Sequence, residues 1–313
     1  MKPKHLIIFL LLGAIWSSSF MWIKISLREI GPISLVAYRV LFGLIFGLLV
    51  ISVRRVKLPR DFRTWIPPLV LGITNFAAPF FLISWGERSV DSSVAAILDS
   101  MVPLFTIFIA HFMLSDDRMT KSRILGLLLG FGGVVVLLSK NIGVSHSALL
   151  GQAAVVLAAI CYACSGVYAR RTTQNLPGIL RSTGPLLSAS AIMWMAVFTT
   201  EHPVQVPALR LTWIALLFMG VIGSGVAFTL SYYLIHEIGP TRTSMVSYIF
   251  PLGGVLLGVI FLHEHVTWQL IIGGILIIAS LVVVNQQPVE NAIPGPEALV
   301  VEKSRGDEVR MSS

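Results

Sequence analysis

Residues 91–114 read DSSVAAILDSMVPLFTIFIAHFML, and residues 239–262 read GPTRTSMVSYIFPLGGVLLGVIFL. Each is a long apolar run interrupted by Pro-Leu, at Pro103-Leu104 and at Pro251-Leu252, 148 positions apart. On the same register Gly72, Phe80, Leu82, Leu114 and Gly126 fall on Gly220, Phe228, Leu230, Leu262 and Gly274. Few identities are shared, but the runs and the breaks between them line up. A doubled chain with an odd number of apolar runs per copy predicts two halves of opposite orientation. In a membrane, that arrangement makes a path that opens on alternate sides.

Composition supports the membrane reading. Of 313 residues 55% are hydrophobic and 12% charged, with a mean hydropathy of +0.84. A soluble chain carries about 25% charged residues. Ten apolar runs of ~20 residues, each long enough to cross ~30 Å of hydrocarbon, lie near 6–26, 33–53, 64–85, 91–114, 122–138, 148–169, 183–200, 211–235, 241–262 and 266–284. Each should be helical, because lipid offers no partner to an open backbone. The expected fold is all-α and integral to the membrane: ten transmembrane helices, as two inverted five-helix repeats around a central cavity. Residues 1–140 form the first repeat and 141–285 the second. Residues 286–313, with Pro288, Pro294, Pro296 and scattered charges, read as a disordered cytoplasmic tail.

Charge sets the orientation. With the N-terminus inside, 17 Lys and Arg fall on the inner side and 6 on the outer. The positive-inside bias places both termini in the cytoplasm and the chain in the plasma (inner) membrane. These basic residues sit in short loops between spans, so nucleic acid is not an expected partner. Lys24 and Arg170 end the first and sixth runs and are expected to snorkel toward the interface.

A polar path through a bundle should show as small and polar residues at helical spacing. The fourth run carries Ser92, Ala95/Ala96, Asp99, Pro103, Thr106 and Ala110 on one face, and the ninth carries Pro240, Thr243/Ser244, Ser247, Pro251, Gly254 and Gly258. Pro103 and Pro251 each remove a backbone donor, predicting helix breaks that serve as gating points. An ionised Asp99 inside the membrane costs roughly 2.5 kcal/mol or more unless paired or hydrated. It reads either as the counter-charge of a substrate amine or a coupling proton, or as a partner of Arg39 or of the backbone freed by Pro103. Arg39 fits a substrate carboxylate or a snorkelling guanidinium. Trp16 and Ser19 in the first run and Tyr162 and Ser165 in the sixth place aromatics beside hydroxyls in mid-span. Asn75, Tyr232, Ser247 and Tyr248 complete the substrate-binding candidates; packing is the alternative for all of them.

Other signals carry less. Cys161 and Cys164 sit inside an apolar run and read as packing residues. His263-Glu264-His265 lacks the further ligands that a metal needs. No P-loop, G-x-S-x-G or H-E-x-x-H is present, so neither ATP hydrolysis nor another enzyme activity is expected, and no cofactor. Glycine pairs such as Gly126/Gly130 and Gly254/Gly258 permit a homodimer without requiring one.

The ordered set resembles the drug/metabolite transporter superfamily, specifically its EamA family. The matching residues are Gly13-Ala-Ile-Trp16-Ser-Ser-Ser-Phe20, Tyr38-Arg39, Val102-Pro103-Leu104 with Asp116-Asp117 and Gly126, and Phe250-Pro251-Leu252 with His263-Glu264, Thr267 and Gly274. In place of the family's Gly-Glu-x-x-Thr turn the chain has Asp116-Asp117 and His263-Glu264. The resemblance spans about residues 5–285. It implies secondary export of small metabolites, such as amino acids and amphipathic compounds, through a cavity lined mainly by spans one, three, four, six, eight and nine. The rival readings are a nucleotide-sugar or phosphate-ester exchanger, which would want several mid-span cations, and a sensor or lipid scramblase, which would not need mirrored halves.

Overall fold

The computed structural model describes residues 3–113, 121–139, 146–201 and 204–285. The Asp116-Asp117 turn and the tail from 286 lie outside them. Ten helical segments follow one another, with no strand among the described residues: α1 Pro3–Ser26, α2 Pro32–Val53, α3 Phe62–Gly86, α4 Ser92–Met113, α5 Lys121–Ser139, α6 His146–Thr172, α7 Gly178–Thr200, α8 Arg210–Ile238, α9 Pro240–Leu262 and α10 Trp268–Asn285. Eight are long and apolar enough to cross a membrane. In α5 and α10 the apolar stretches, Ile124–Leu137 and Trp268–Ser280, are shorter. The chain is thus a multi-pass helical membrane protein.

Local geometry recurs on the 148 register. Trp65 Nε1 donates to the Pro59 carbonyl at 3.2 Å, and Trp213 Nε1 donates to the Pro207 carbonyl at 3.0 Å. Helix α3 loosens into a π-helical stretch at Gly72–Ala77, and α8 does the same at Phe218–Val226. Such stretches widen the hydrogen-bond ladder and present backbone groups sideways.

The prolines act where the sequence placed them. Helix α4 is interrupted at Ser100 and Met101, and α9 tightens into a 3-10 turn at Met245–Ile249. Pro103 lacks the N–H that would bond the Asp99 carbonyl four residues back, and Pro251 does the same to Ser247. The two breaks meet: Ser247 Oγ lies 3.3 Å from the Ser100 carbonyl and 2.9 Å from that of Ser244.

Glycines let the helices approach. A Cβ on Gly254 would strike the Ala96 Cβ, and one on Gly43 would stand 3.0 Å from the Gly220 carbonyl. The Gly254/Gly258 pair therefore serves contact between α9 and α4 within the chain. Helices α5 and α10 pair with each other; a Cβ on Gly133 would stand 2.8 Å from the Gly273 carbonyl oxygen, whereas one on Gly132 meets nothing within 4 Å. Gly133→Leu should therefore cost about 1–3 kcal/mol through overpacking. Gly132→Leu should stabilise by up to about 1 kcal/mol through helix propensity. Thermal unfolding in detergent checks this, and equal shifts for the two neighbours would refute it.

Candidate functional site

A central cavity of about 120 Å³ lies among α1, α2, α3, α4, α6, α8 and α9. About 10–15 Å³ admits one water, so the space has the size for a small solute. Its walls are mostly apolar, with Trp16, Phe20, Phe80, Phe228 and Phe250 among them. Polar side chains stand between them: Ser19, Arg39, Asn75, Asp99, Thr106, Tyr162, Ser231, Tyr232, Thr243, Ser244 and Ser247. An apolar pocket with a few convergent polar groups is the usual form of a small-molecule site.

Eight of the ten substrate-binding candidates line this space: Trp16, Ser19, Arg39, Asn75, Asp99, Tyr162, Tyr232 and Ser247. Two do not. Ser165 is turned to α3, where its hydroxyl donates to Thr74 Oγ1 at 2.9 Å. Tyr248 lies outside the lining, with its hydroxyl buried and unpartnered. Both lie at the level of the cavity but off its face: Tyr248 is the immediate neighbour of Ser247, and adjacent helical residues point to different sides.

The two charges are held in contrasting ways. Arg39 is 4% exposed, and its guanidinium lies 3.7 Å from the centroid of the Phe80 ring. Its Nε donates to Ser224 Oγ at 3.1 Å. Ser224 in turn donates to the Met219 carbonyl at 3.0 Å, five residues back, which is the π-stretch spacing. Asp99 is also 4% exposed, and its Oδ1 is buried without a hydrogen-bond partner. No ion pair joins Asp99 to Arg39 among the described residues. Leaving a buried carboxylate oxygen without a direct partner is costly.

The π stretches dock the other half of the chain. Trp16 Nε1 donates to the Gly223 carbonyl at 3.0 Å, and its ring lies 5.1 Å from that of Phe228. Asn75 Nδ2, in the α3 stretch, donates to Tyr232 Oη at 2.9 Å. Sequence reasoning missed these stretches and Ser224; the glycine-dense run Gly220, Gly223 and Gly225 was the available signal.

Lys24 and Arg170 are both held by backbone carbonyls of neighbouring elements. Lys24 Nζ donates to the carbonyls of Glu87 (2.6 Å) and Val90 (2.7 Å), and Arg170 Nη1 to that of Ile235 at 3.2 Å. The Glu87 and Ile235 carbonyls lie at the C-terminal ends of α3 and α8, where the helix dipole favours a cation; Val90 lies in the turn between α3 and α4.

At one end of the bundle, carboxylates tie the two parts of the chain together. Glu29 accepts from the backbone N–H of Ala208 and Leu209, both at 3.0 Å. Glu201 accepts from the Ser34 N–H at 3.0 Å and from the Ser34 hydroxyl. Glu264 accepts from the N–H of Ser92 (2.7 Å) and Ser93 (3.0 Å). Glu201 and Glu264 meet the first turns of α2 and α4, and Glu29 meets the two residues that lead into α8, all favourable places for negative charge. The Thr212 hydroxyl and these backbone donors hold the Glu29 carboxyl below the usual carboxylate range, against the opposing effect of burial. The opposite end has weaker contacts between the parts: His5 to Glu237 at 3.8 Å, and Lys4 4.8 Å over the Tyr233 ring. Gly166, Ile235 and Pro240 extend the cavity toward that end.

Comparison with known proteins is consistent throughout. The model of the EamA-like transporter family matches twice, over residues 4–139 and 149–286. The uncharacterized transporter YoaV of Bacillus subtilis is 23% identical over 271 residues, covering 85% of this chain and 91% of that protein. The uncharacterized inner membrane transporter YedA of Escherichia coli is 26% identical over 246 residues, 78% of each chain. A solved crystal structure shares the fold, with a TM-score of 0.69 over 91% of this chain and 98% of its own, at 20% identity. A helical bundle around a central pocket, matched along both parts by one model, makes this chain a member of the EamA-like transporter family, and hence a membrane transporter.

Proposed function

We propose that this chain is a secondary-active exporter of small amphipathic zwitterions, amino acids and related metabolites, working by alternating access. One observation carries the reading: Asp99 and Arg39 are both buried in one apolar cavity with no ion pair between them. A zwitterion would bring its ammonium to Asp99 and its carboxylate to Arg39. Its apolar part would meet Trp16, Phe80, Phe228 and Phe250. Among the described lining residues Arg39 is the one cation, which disfavours a phosphate-ester exchanger.

The cycle is read as rocking of two inverted five-helix halves, residues 1–140 and 141–285, over ten spans. The recurrence of the Trp65 and Trp213 bonds and of the π stretches 148 positions apart supports this. The prolines Pro103 and Pro251 sit where α4 and α9 would flex. The basic end of the bundle, carrying both termini, is read as cytoplasmic. The carboxylate-closed end then faces outward, and loading from the cytoplasm follows. A proton and the substrate ammonium compete for Asp99, so proton exchange is the expected coupling.

Ligand-induced thermal shift of the detergent-purified protein against a metabolite panel tests the substrate class. A ligand at 100 times its Kd stabilises by about 2.7 kcal/mol, which is readily visible. Stabilisation by apolar or aromatic amino acids is expected; hits confined to phosphate esters would overturn the reading. In proteoliposomes with an imposed pH gradient, accumulation by Asp99→Asn with unaltered dependence on that gradient would sink the coupling.

A further inference from the structure

Glu87 follows α3 directly, in the turn that leads to α4, and it is fully buried. Both of its carboxylate oxygens lack a hydrogen-bond partner. The Lys24 ammonium is its neighbour but donates to the Glu87 and Val90 carbonyls, not to the carboxylate. The side chain lines a second cavity of about 490 Å³ at the carboxylate-closed end, together with Lys24, Arg28, Asp91 and Glu264. Glu264 is the group that locks the α4 N-terminus.

The two ends of the bundle differ at this point. On the 148 register Glu87 corresponds to Ile235, and the Lys24 bond to the Glu87 carbonyl is mirrored by that of Arg170 to the Ile235 carbonyl. The backbone contact is therefore duplicated, whereas the carboxyl exists at one end only.

We infer that Glu87 is a proton-binding site that controls this closure: with the carboxyl protonated Glu264 stays on α4, and when the proton leaves to water in the adjoining cavity the closure opens. The inference rests on the transporter reading, which gives opening and closing a purpose. The physics is repulsion between two carboxylates. A neutral Glu87 tolerates Glu264 nearby, and an ionised one does not. Of the pair, Glu264 stands on the turn between α9 and α10 and is half-exposed, so it is the group free to move.

Charged groups act on Glu87 from every side. Lys24 and Arg28 lie at the end of α1, Arg39 on α2, Arg88 and Asp91 in its own turn, Asp99 on α4, and His263, Glu264 and His265 in the turn before α10. Burial pushes the Glu87 carboxyl well up; Lys24 pulls it down, Glu264 pushes it up, Arg39 pulls it down and Asp99 pushes it up. The sign follows from a carboxyl raised in the closed state relative to the open one. Closure is fully favoured below the ordinary carboxylate range and weakens as pH rises toward the raised value.

The test is a distance across the closure. Spin labels at Ser89→Cys and Val266→Cys, both exposed positions, would be read by double electron–electron resonance in nanodiscs from pH 5.5 to 8.5, with Cys161 and Cys164 changed to Ser. One distance is expected at low pH, and a longer population should grow with pH, by at most about tenfold per unit in the open-to-closed ratio. Glu87→Gln should stay short throughout, and Glu87→Asp should restore the titration. Glu264→Gln, which removes the repelled charge, should flatten the curve even if Glu87→Gln folds poorly. A wild-type distribution that ignores pH, or a Glu87→Gln curve that follows wild type, overturns the site. The measurement uses no substrate. A flat curve with intact ligand binding therefore rejects Glu87 alone, while lost ligand binding with intact pH response rejects the substrate reading alone.

Discussion

Asp99→Asn is expected to weaken binding of a zwitterionic substrate by about 30-fold or more while leaving the empty protein as stable as wild type, or more so. Removing one partner of a buried charge contact costs about 2–5 kcal/mol, which sets that factor. The stability side follows from what Asp99 lacks. Its Oδ1 has no hydrogen-bond partner and no cation pairs with it directly, so an asparagine of the same shape relieves a desolvated charge. Arg39, left behind, keeps the Phe80 face and Ser224. Isothermal titration with the zwitterion and with an analogue lacking the amine separates the roles. The amine-free analogue should bind both proteins alike. A variant that binds the zwitterion at full affinity, or that melts several degrees lower, would make Asp99 a structural cap of the Pro103 break.

Much of this arrangement was legible in the sequence, and the legible part has a common cause. Apolar length and the Pro103 and Pro251 breaks are local properties, and lipid forces each run to be helical whatever its neighbours do. The stripe on α4 pointed to the right face because a regular helix keeps residues three and four apart together. Where the helix is not regular, the reading failed. Tyr248 lies within a 3-10 turn, and Ser165 is taken by Thr74 in a π stretch that the chain does not announce. Lys24 was expected to snorkel, as a lysine at a span end usually does; which carbonyls it meets there, those of Glu87 and Val90, depends on how α1 packs against the turn after α3. Glu29, Glu87 and Glu201 drew no reading as sequence, and Glu264 was read only within the His263-Glu264-His265 run and its turn. Their roles depend on which helix start lies across the cleft, a tertiary fact.

Arg39→Met should remove binding of the zwitterion and of any carboxylate-only analogue, by about 30-fold or more, and spare an amine-only analogue. Arg39→Lys should not rescue it. A lysine keeps the charge but loses the planar fork that lies on Phe80 and meets Ser224. The stability response is opposite in sign to that of Asp99→Asn, since the field of Arg39 acts on the buried Asp99. Removing the cation leaves the carboxylate alone, so Arg39→Met should melt below wild type. Adding Asp99→Asn then removes the stranded charge, and it should raise the melting point of Arg39→Met by more than it raises that of wild type. That excess is the coupling of a double-mutant cycle. Simple additivity of binding losses and melting shifts would mean that the two charges do not share one site, and the zwitterion reading would fall with it.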